Sequence, residues 1–150
     1  MPRAALHQIE WRVDDPADEW APVAIYIDGV SLIDLVEQYE DARGYVPAGG
    51  YGWCPAARTL PPSRHFLGEP KWPQANGKLS LLLCGCQCEG CWDFDGRIVV
   101  TSEHVEWSDF EQIHRRPDSP GGHWDYCGFG PFRFDRRPYE EALAAARPAT

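Results

Sequence analysis

The sequence lacks the short motifs that mark the common enzyme classes. It contains no Gly-x-Ser-x-Gly, no phosphate-binding loop, no dinucleotide fingerprint and no His-Glu-x-x-His. Each of those motifs places a nucleophile, a phosphate cradle or a pair of metal ligands at a fixed backbone geometry. Because nothing in the sequence replaces them, we predict a non-enzymatic domain.

Basic charge and long apolar runs are also scarce. The formal net charge is −9, and the longest basic cluster spans only residues 114–116. Neutralising phosphates requires a basic face, so we predict no nucleic-acid or anionic-membrane partner. No run approaches the roughly 20 apolar residues of a membrane span, and polar residues interrupt the N-terminal segment. We therefore predict a cytoplasmic protein whose thiols stay reduced.

Large aromatic residues, in contrast, are abundant, with seven Trp, six Tyr and six Phe in 150 residues. Each such ring buries about 150–250 Å² and contributes strongly to core stability. A chain of this length removes roughly 68–70% of its unfolded surface from water on folding. We therefore predict one domain that covers residues 1–150.

The first third of the chain predicts two strands and a helix. Residues 5–13 alternate between apolar and polar side chains, which is the period of a half-buried strand, and residues 23–27 are more continuously apolar. The Asp28-Gly29 pair suits a hairpin turn. Ser31 and the apolar stripe after it are, however, typical of a capped helix, so we predict that the helix follows the second strand directly.

The rest of the chain predicts a strand meander between irregular segments. Residues 44–77 contain many Pro, Gly and aromatic residues without a sustained period. The predicted strands cover residues 79–86, 96–101, 105–110 and 132–134, residues 113–130 form a second loop, and a helix capped by Asp135 follows. The prediction is an α+β fold, with a mainly antiparallel sheet (an N-terminal strand pair plus a central three-strand meander), two helices and long irregular loops.

Four cysteines lie within eight residues at a predicted strand joint. They are Cys84, Cys86, Cys88 and Cys91. Thiolates are preferred zinc ligands, and Gly85 would let the strand bend so that neighbouring sulfurs converge. Four ligands from so short a segment are sterically crowded. The sequence therefore favours a structural zinc site made of three of these cysteines and a more distant ligand.

The alternatives for this loop are reactive thiols and inert buried thiols. The acidic neighbours Glu89, Asp93 and Asp95 are expected to raise thiol pKa values, which disfavours a redox role. Cysteine also packs as a small apolar residue without any special role. A separate alternative is a hydrolase-like enzyme that uses His123, Asp125 and the acidic face of the meander, in a pocket walled by Trp53 and Trp124.

Several segments together resemble a group of small bacterial proteins that have no assigned activity. The shared segments are Cys84-x-Cys86-x4-Cys91-Trp92, residues 107–111, Trp124-Asp-Tyr-x-Gly-x-Gly-Pro-Phe-x-Phe-Asp-Arg136 with Tyr139-Glu140, residues 27–29 with Leu32, and residues 65–68. The resemblance spans most of the chain and implies no mechanism. It implies cysteines at positions 84, 86 and 91, with none that match Cys88 or Cys127.

The resulting hypothesis is a metal site with a preferred set of three ligands. Cys84, Cys86 and Cys91 are the predicted zinc ligands. The candidates for the fourth ligand are Cys88, Cys54, His65, Cys127 and His123. The aromatic loops would form a surface for a protein or small-ligand partner, and a homodimer is a further alternative.

Overall fold

A small antiparallel sheet forms the N-terminal part of the computed structural model, which describes residues 6–15, 17–71, 74 and 76–146. Its strands are β1 (Ile9–Val13), β2 (Val23–Ile27) and β3 (Val30–Ser31), in that order. The predicted strand pair is present, and Ala5, where it was expected to begin, lies outside the described residues. Asp28 and Gly29 have φ values of 53° and 81° and turn the chain into β3. The prediction that no hairpin forms here is therefore wrong.

The helix predicted after this sheet is present as α1 (Leu32–Ala42). The Ser31 hydroxyl accepts a hydrogen bond from the Asp34 N–H at 3.5 Å, as expected for an N-cap. Leu32 and Val36 are fully buried on one face. Glu40 is also fully buried on this helix, and the apolar periodicity of the sequence gives no reason to expect it.

A second antiparallel sheet of five strands contains the predicted meander. The strands are β4 (Tyr51–Gly52), β5 (Leu79–Cys84), β6 (Phe94–Val100), β7 (His104–Gln112) and β8 (Phe132–Asp135), in chain order across the sheet. The central three strands confirm the meander. The prediction did not include β4, and it did not pair β8 with β7. The observed class is α+β, as predicted.

The segment 44–77 is more regular than its composition indicates. It contains β4, the short helix α2 (Ala56–Thr59) and a 3-10 helix at His65–Leu67. Together with α3 (Arg136–Ala146), which follows β8, the described residues contain three α-helices instead of the two predicted. Several described rings of the long loops are buried, including those of Tyr51, Trp124 and Tyr126, whereas Tyr45 and Trp53 are partly buried. These loops therefore do not present those rings as an interaction surface.

One cluster of buried side chains joins the two sheets. The Trp11 ring of β1 lies 5.5 Å from the Phe66 ring and 5.0 Å from the Tyr139 ring, measured between centroids. The Tyr139 hydroxyl accepts a hydrogen bond from Trp107 Nε1 at 3.1 Å and donates one to the Phe66 carbonyl. The extent of one domain over residues 1–150 stays a prediction, because both chain ends lie outside the described residues.

Candidate metal centre

The cysteine loop begins where β5 ends. The predicted strand continued to Cys86, but β5 stops at Cys84, and the Gln87 N–H donates to the Cys84 carbonyl at 2.8 Å. Gln87 and Gly90 have left-handed backbone angles, with φ values of 64° and 77°. The chain therefore turns tightly after Cys84. In an extended strand the Cα atoms of Cys84 and Cys86 would lie about 6.6 Å apart. The turn allows their side chains to come closer together.

Three sulfurs converge in this loop. The Sγ atoms of Cys84, Cys86 and Cys91 all lie within 4.8 Å of one another. In a tetrahedral zinc site with Zn–S bonds of about 2.3 Å, the sulfurs lie about 3.8 Å apart. The observed separations exceed that value by at most about 1 Å. The loop thus presents three donor atoms of the type that zinc and other soft metal ions prefer.

The loop is held in place by a neighbouring segment, residues 49–51. The Gly85 N–H donates to the Gly50 carbonyl at 2.8 Å, and Trp92 Nε1 donates to the Gly49 carbonyl at 2.9 Å. Tyr51 pairs with Cys84 between β4 and β5. These contacts fix both ends of the cysteine loop on a common support.

That support is in turn fixed by the buried carboxylate of Glu40. It accepts hydrogen bonds from the Tyr51 and Tyr126 hydroxyls, each at 2.5 Å, and from the Gly49 N–H at 2.8 Å. Burial raises the pKa of Glu40, although the three hydrogen bonds oppose that shift. A buried carboxylate with three donors is a strong positional constraint, because each donor would otherwise be left without a partner.

Two of the predicted fourth ligands are buried away from the three sulfurs. Cys54 is fully enclosed, with its thiol 3.9 Å from the Leu81 carbonyl, and burial raises its pKa to about 12. His65 is also buried, and its Nε2 lies 2.7 Å from the Ser80 carbonyl oxygen. Burial lowers the pKa of His65 to about 4, so its ring is neutral at pH 7. Neither side chain reaches the cysteine cluster.

The other three candidates are exposed, but they also lie outside the cluster. The Cys127 thiol donates to the Asp125 carboxylate at 3.3 Å, and His123 lies on the same loop. The Cys88 thiol lies next to the cluster, 3.9 Å from the Cys86 carbonyl oxygen and hydrogen-bonded to the Cys86 thiol, but it is not one of the three mutually close sulfurs. Among the residues that the structure describes, no His, Cys, Asp or Glu completes a set of four ligands. The structure thus brings the three preferred cysteines together without a distant fourth ligand.

The thiols in the loop differ in acidity. A backbone hydrogen bond from Cys88, together with hydrogen bonds from neighbouring thiols, lowers the pKa of Cys86 to about 7. The hydrogen bonds that Cys91 makes with Cys84 and Cys86 raise the pKa of Cys91 to about 12. The pKa values of Cys88 and Cys91 are therefore raised and that of Cys86 is lowered, mainly through contacts within the loop and not through the acidic neighbours. Glu89, one of these acidic neighbours, is ion-paired with Arg58.

Two acidic residues at the beginning of the β6 segment are buried. Asp93 and Asp95 are only 4% and 0% exposed. Ser80, Asp95 and Glu111 lie side by side on β5, β6 and β7. Neither carboxylate oxygen of Asp95 has a hydrogen-bond partner among the described residues. Burial, and next the negative charges of Asp93 and Glu111, raise the pKa of Asp95 to about 6.

The residues of the hydrolase alternative meet only in part. A cleft of about 390 Å³ is lined by His123, Trp124 and Asp125, and also by acidic residues of β7, but not by Trp53. The Asp125 carboxylate accepts hydrogen bonds from the backbone N–H and the thiol of Cys127. The hydrogen bond to the Asp125 carboxylate and the negative charge of that carboxylate raise the pKa of the Cys127 thiol. A thiol with a raised pKa is a poor nucleophile at neutral pH.

No helix among the described residues has the length and apolar character that crossing a membrane requires.

Comparisons with known proteins add no relationship to this geometry. No family model, no curated protein and no solved structure matches the chain. The candidate site is therefore defined by its own residues, and by the convergence of Cys84, Cys86 and Cys91 above all.

Proposed function

We propose that this protein binds one zinc ion through the thiolates of Cys84, Cys86 and Cys91. The observation that carries the proposal is the mutual approach of the three Sγ atoms to within 4.8 Å. Thiolate sulfur is a preferred zinc ligand, and three such donors from one short loop favour a soft or borderline cation over Mg²⁺ or Ca²⁺, which prefer oxygen. The ion would link the end of β5 to the segment that enters β6.

The local backbone supports this role for the loop. Gly90 has a left-handed conformation, and a Cβ atom at that position would meet nothing within 4 Å. The space beside Cys91 is therefore open, while Cys84 is held on β5. The three sulfurs would contract around an ion by side-chain rotation, without a change in the sheet.

Metal analysis of protein purified without an affinity tag tests the proposal. After reconstitution with zinc and removal of the excess, we expect about one equivalent per chain. Substitution of Cys84, Cys86 or Cys91 by Ser should weaken the affinity for zinc at least tenfold, because one of the three thiolate bonds is lost. Cys127→Ser is the matched control, since it removes an exposed thiol outside the cluster and should leave the stoichiometry unchanged.

The same preparations exclude the proposal if the ion is not bound. Less than about a tenth of an equivalent of zinc in the reconstituted protein contradicts it. Equal zinc content in the Cys127→Ser and Cys86→Ser variants would also contradict it, because the binding would then not involve the three-cysteine cluster. If the metal-free native protein loses two titratable thiols from this loop when it is oxidised, the result would instead support the redox alternative.

A further inference from the structure

We infer that the ion at Cys84, Cys86 and Cys91 takes its fourth ligand from a thiol-bearing molecule outside this chain. The inference rests on the zinc site proposed above and adds the chemical class of a ligand for it. It follows from three features of the loop: the number of donors that the chain supplies, their exposure, and the rigidity of the support beneath them.

The first feature is the number of donors. Zinc in proteins is almost always four-coordinate in structural sites, which the protein closes with four ligands of its own. Here three sulfurs of the described residues converge within 4.8 Å of one another, and the Cys88 thiol, although it is hydrogen-bonded to Cys86, is not part of that group. Recruiting Cys54 or His65 would break the contact of the Cys54 thiol with the Leu81 carbonyl or that of His65 with the Ser80 carbonyl. It would also require a buried side chain to leave its packed position.

The second feature is access from solvent. Cys86 and Cys91 are exposed, and Gly85, Gln87 and Gly90 around them are exposed as well. The open space at the Gly90 Cβ position lies next to Cys91. A small molecule can therefore approach the three sulfurs from solvent without displacing any buried side chain.

The third feature is that the support does not depend on a fourth protein ligand. Backbone hydrogen bonds from Gly85 and Gln87 shape one side of the loop. On the other side, the Gly90 N–H donates to the Asp93 carboxylate at 3.1 Å, and the Gly90 carbonyl lies 2.9 Å from His114 Nε2. A ligand can thus be exchanged at the ion while the loop keeps its backbone conformation.

The class of ligand follows from the donors already present. Three thiolates transfer electron density to zinc, which makes the ion a weak Lewis acid toward water and favours another soft donor. The exchange step is simple ligand substitution. The external thiol releases its proton to solvent, its sulfur forms a bond to the ion, and a water molecule leaves, with no electrons transferred.

Cobalt-substituted protein provides the test, because Co²⁺ takes the zinc geometry and each Co–S bond adds to the ligand-to-metal charge-transfer absorption. The probe is 2-mercaptoethanol, titrated into the Co²⁺-loaded protein with a thiol-free reductant present. We expect a saturable change with one equivalent bound. The charge-transfer intensity should rise by about one third, because the number of Co–S bonds rises from three to four. Imidazole and acetate, run in parallel, should bind more weakly than the thiol.

The Cys88→Ser variant distinguishes an external ligand from the nearest internal one. We expect its cobalt spectrum and its thiol titration to match those of the unaltered protein. If the substitution lowers the starting charge-transfer intensity, Cys88 is the fourth ligand and the inference is overturned. An unchanged spectrum at high thiol concentration, or a preference for imidazole, overturns it as well. Failure to take up Co²⁺ or zinc at all contradicts the proposed function instead.

Discussion

The buried carboxylate of Asp95 provides the most direct quantitative prediction, through the substitution Asp95→Asn. Asp95 lies on β6 between Ser80 and Glu111 of the neighbouring strands, and its side chain has no hydrogen-bond partner among the described residues. Asn has nearly the same shape and carries no charge. The substitution therefore removes the ionisation of Asp95 and changes the packing very little.

The expected gain depends on pH in a defined direction. The pKa of Asp95 is raised from 3.8 to about 6 in the folded protein. Below about pH 4 the carboxyl group is protonated in both the folded and the unfolded state, so its charge costs no stability. As the pH rises from about 4 to 6, the folded state retains a proton that the unfolded state has lost, and the stability falls. Above pH 6 the full cost is present.

The size of that cost follows from the shift. A rise of about two pH units in pKa corresponds to about 3 kcal/mol of unfolding free energy. Asn also buries an amide group that must find partners, which reduces the gain. We expect Asp95→Asn to stabilise the protein by about 2 kcal/mol at pH 8 and by much less at pH 4.

Urea unfolding followed by circular dichroism at both pH values measures this difference. Asp118→Asn is the matched control, because Asp118 is an exposed aspartate. The control should shift the stability by less than about 0.5 kcal/mol at either pH. If Asp95→Asn has no stabilising effect at pH 8, or the same effect at pH 4, the argument from burial and neighbouring charge is refuted.

Three further substitutions test the contacts described above. Glu40→Ala should lower the unfolding free energy, measured with urea, by about 3 kcal/mol or more, because three buried donors lose their acceptor. Glu40→Gln should lower it clearly less, and equal effects would contradict a hydrogen-bonding role. Tyr139→Phe should cost about 1–3 kcal/mol, since the Trp107 N–H and the Phe66 carbonyl lose their partner, and a cost near zero would contradict this. Cys54→Ala should leave the zinc content unchanged. In the unaltered protein, Cys54 should react with a maleimide only after denaturation, and rapid labelling of native Cys54 would show that it is not buried.

The sequence predicts local structure well where one strong signal acts alone. The cap at Ser31 and the stripe that begins at Leu32 define α1, and alternation along β7 defines the meander. Two signals compete at Asp28-Gly29, where a turn pair stands directly before a helix cap. Both are realised, because a strand of only two residues fits between them. A pattern that assigns one element to each stretch cannot show this.

The candidate metal ligands divide in the same way. Cys84, Cys86 and Cys91 lie within eight residues, so the local turn geometry brings their sulfurs together, and the spacing is enough to predict the group. The placement of Cys54 and His65 depends on how segment 44–77 packs against β5, which involves contacts between residues far apart in the chain. For the same reason, strand alternation cannot show that Asp93 and Asp95 are buried.

The position of Trp92 has an optical consequence. Its indole follows Cys91 directly, stacks on His114 with 6.2 Å between ring centroids, and lies 4.9 Å below the guanidinium of Arg115. With Nε1 donating to the Gly49 carbonyl, the ring is held in one orientation on the residue that follows Cys91. A paramagnetic ion such as Co²⁺ held by the sulfurs should therefore quench the part of the emission of the seven tryptophans that comes from Trp92, and that part should recover when a chelator removes the ion.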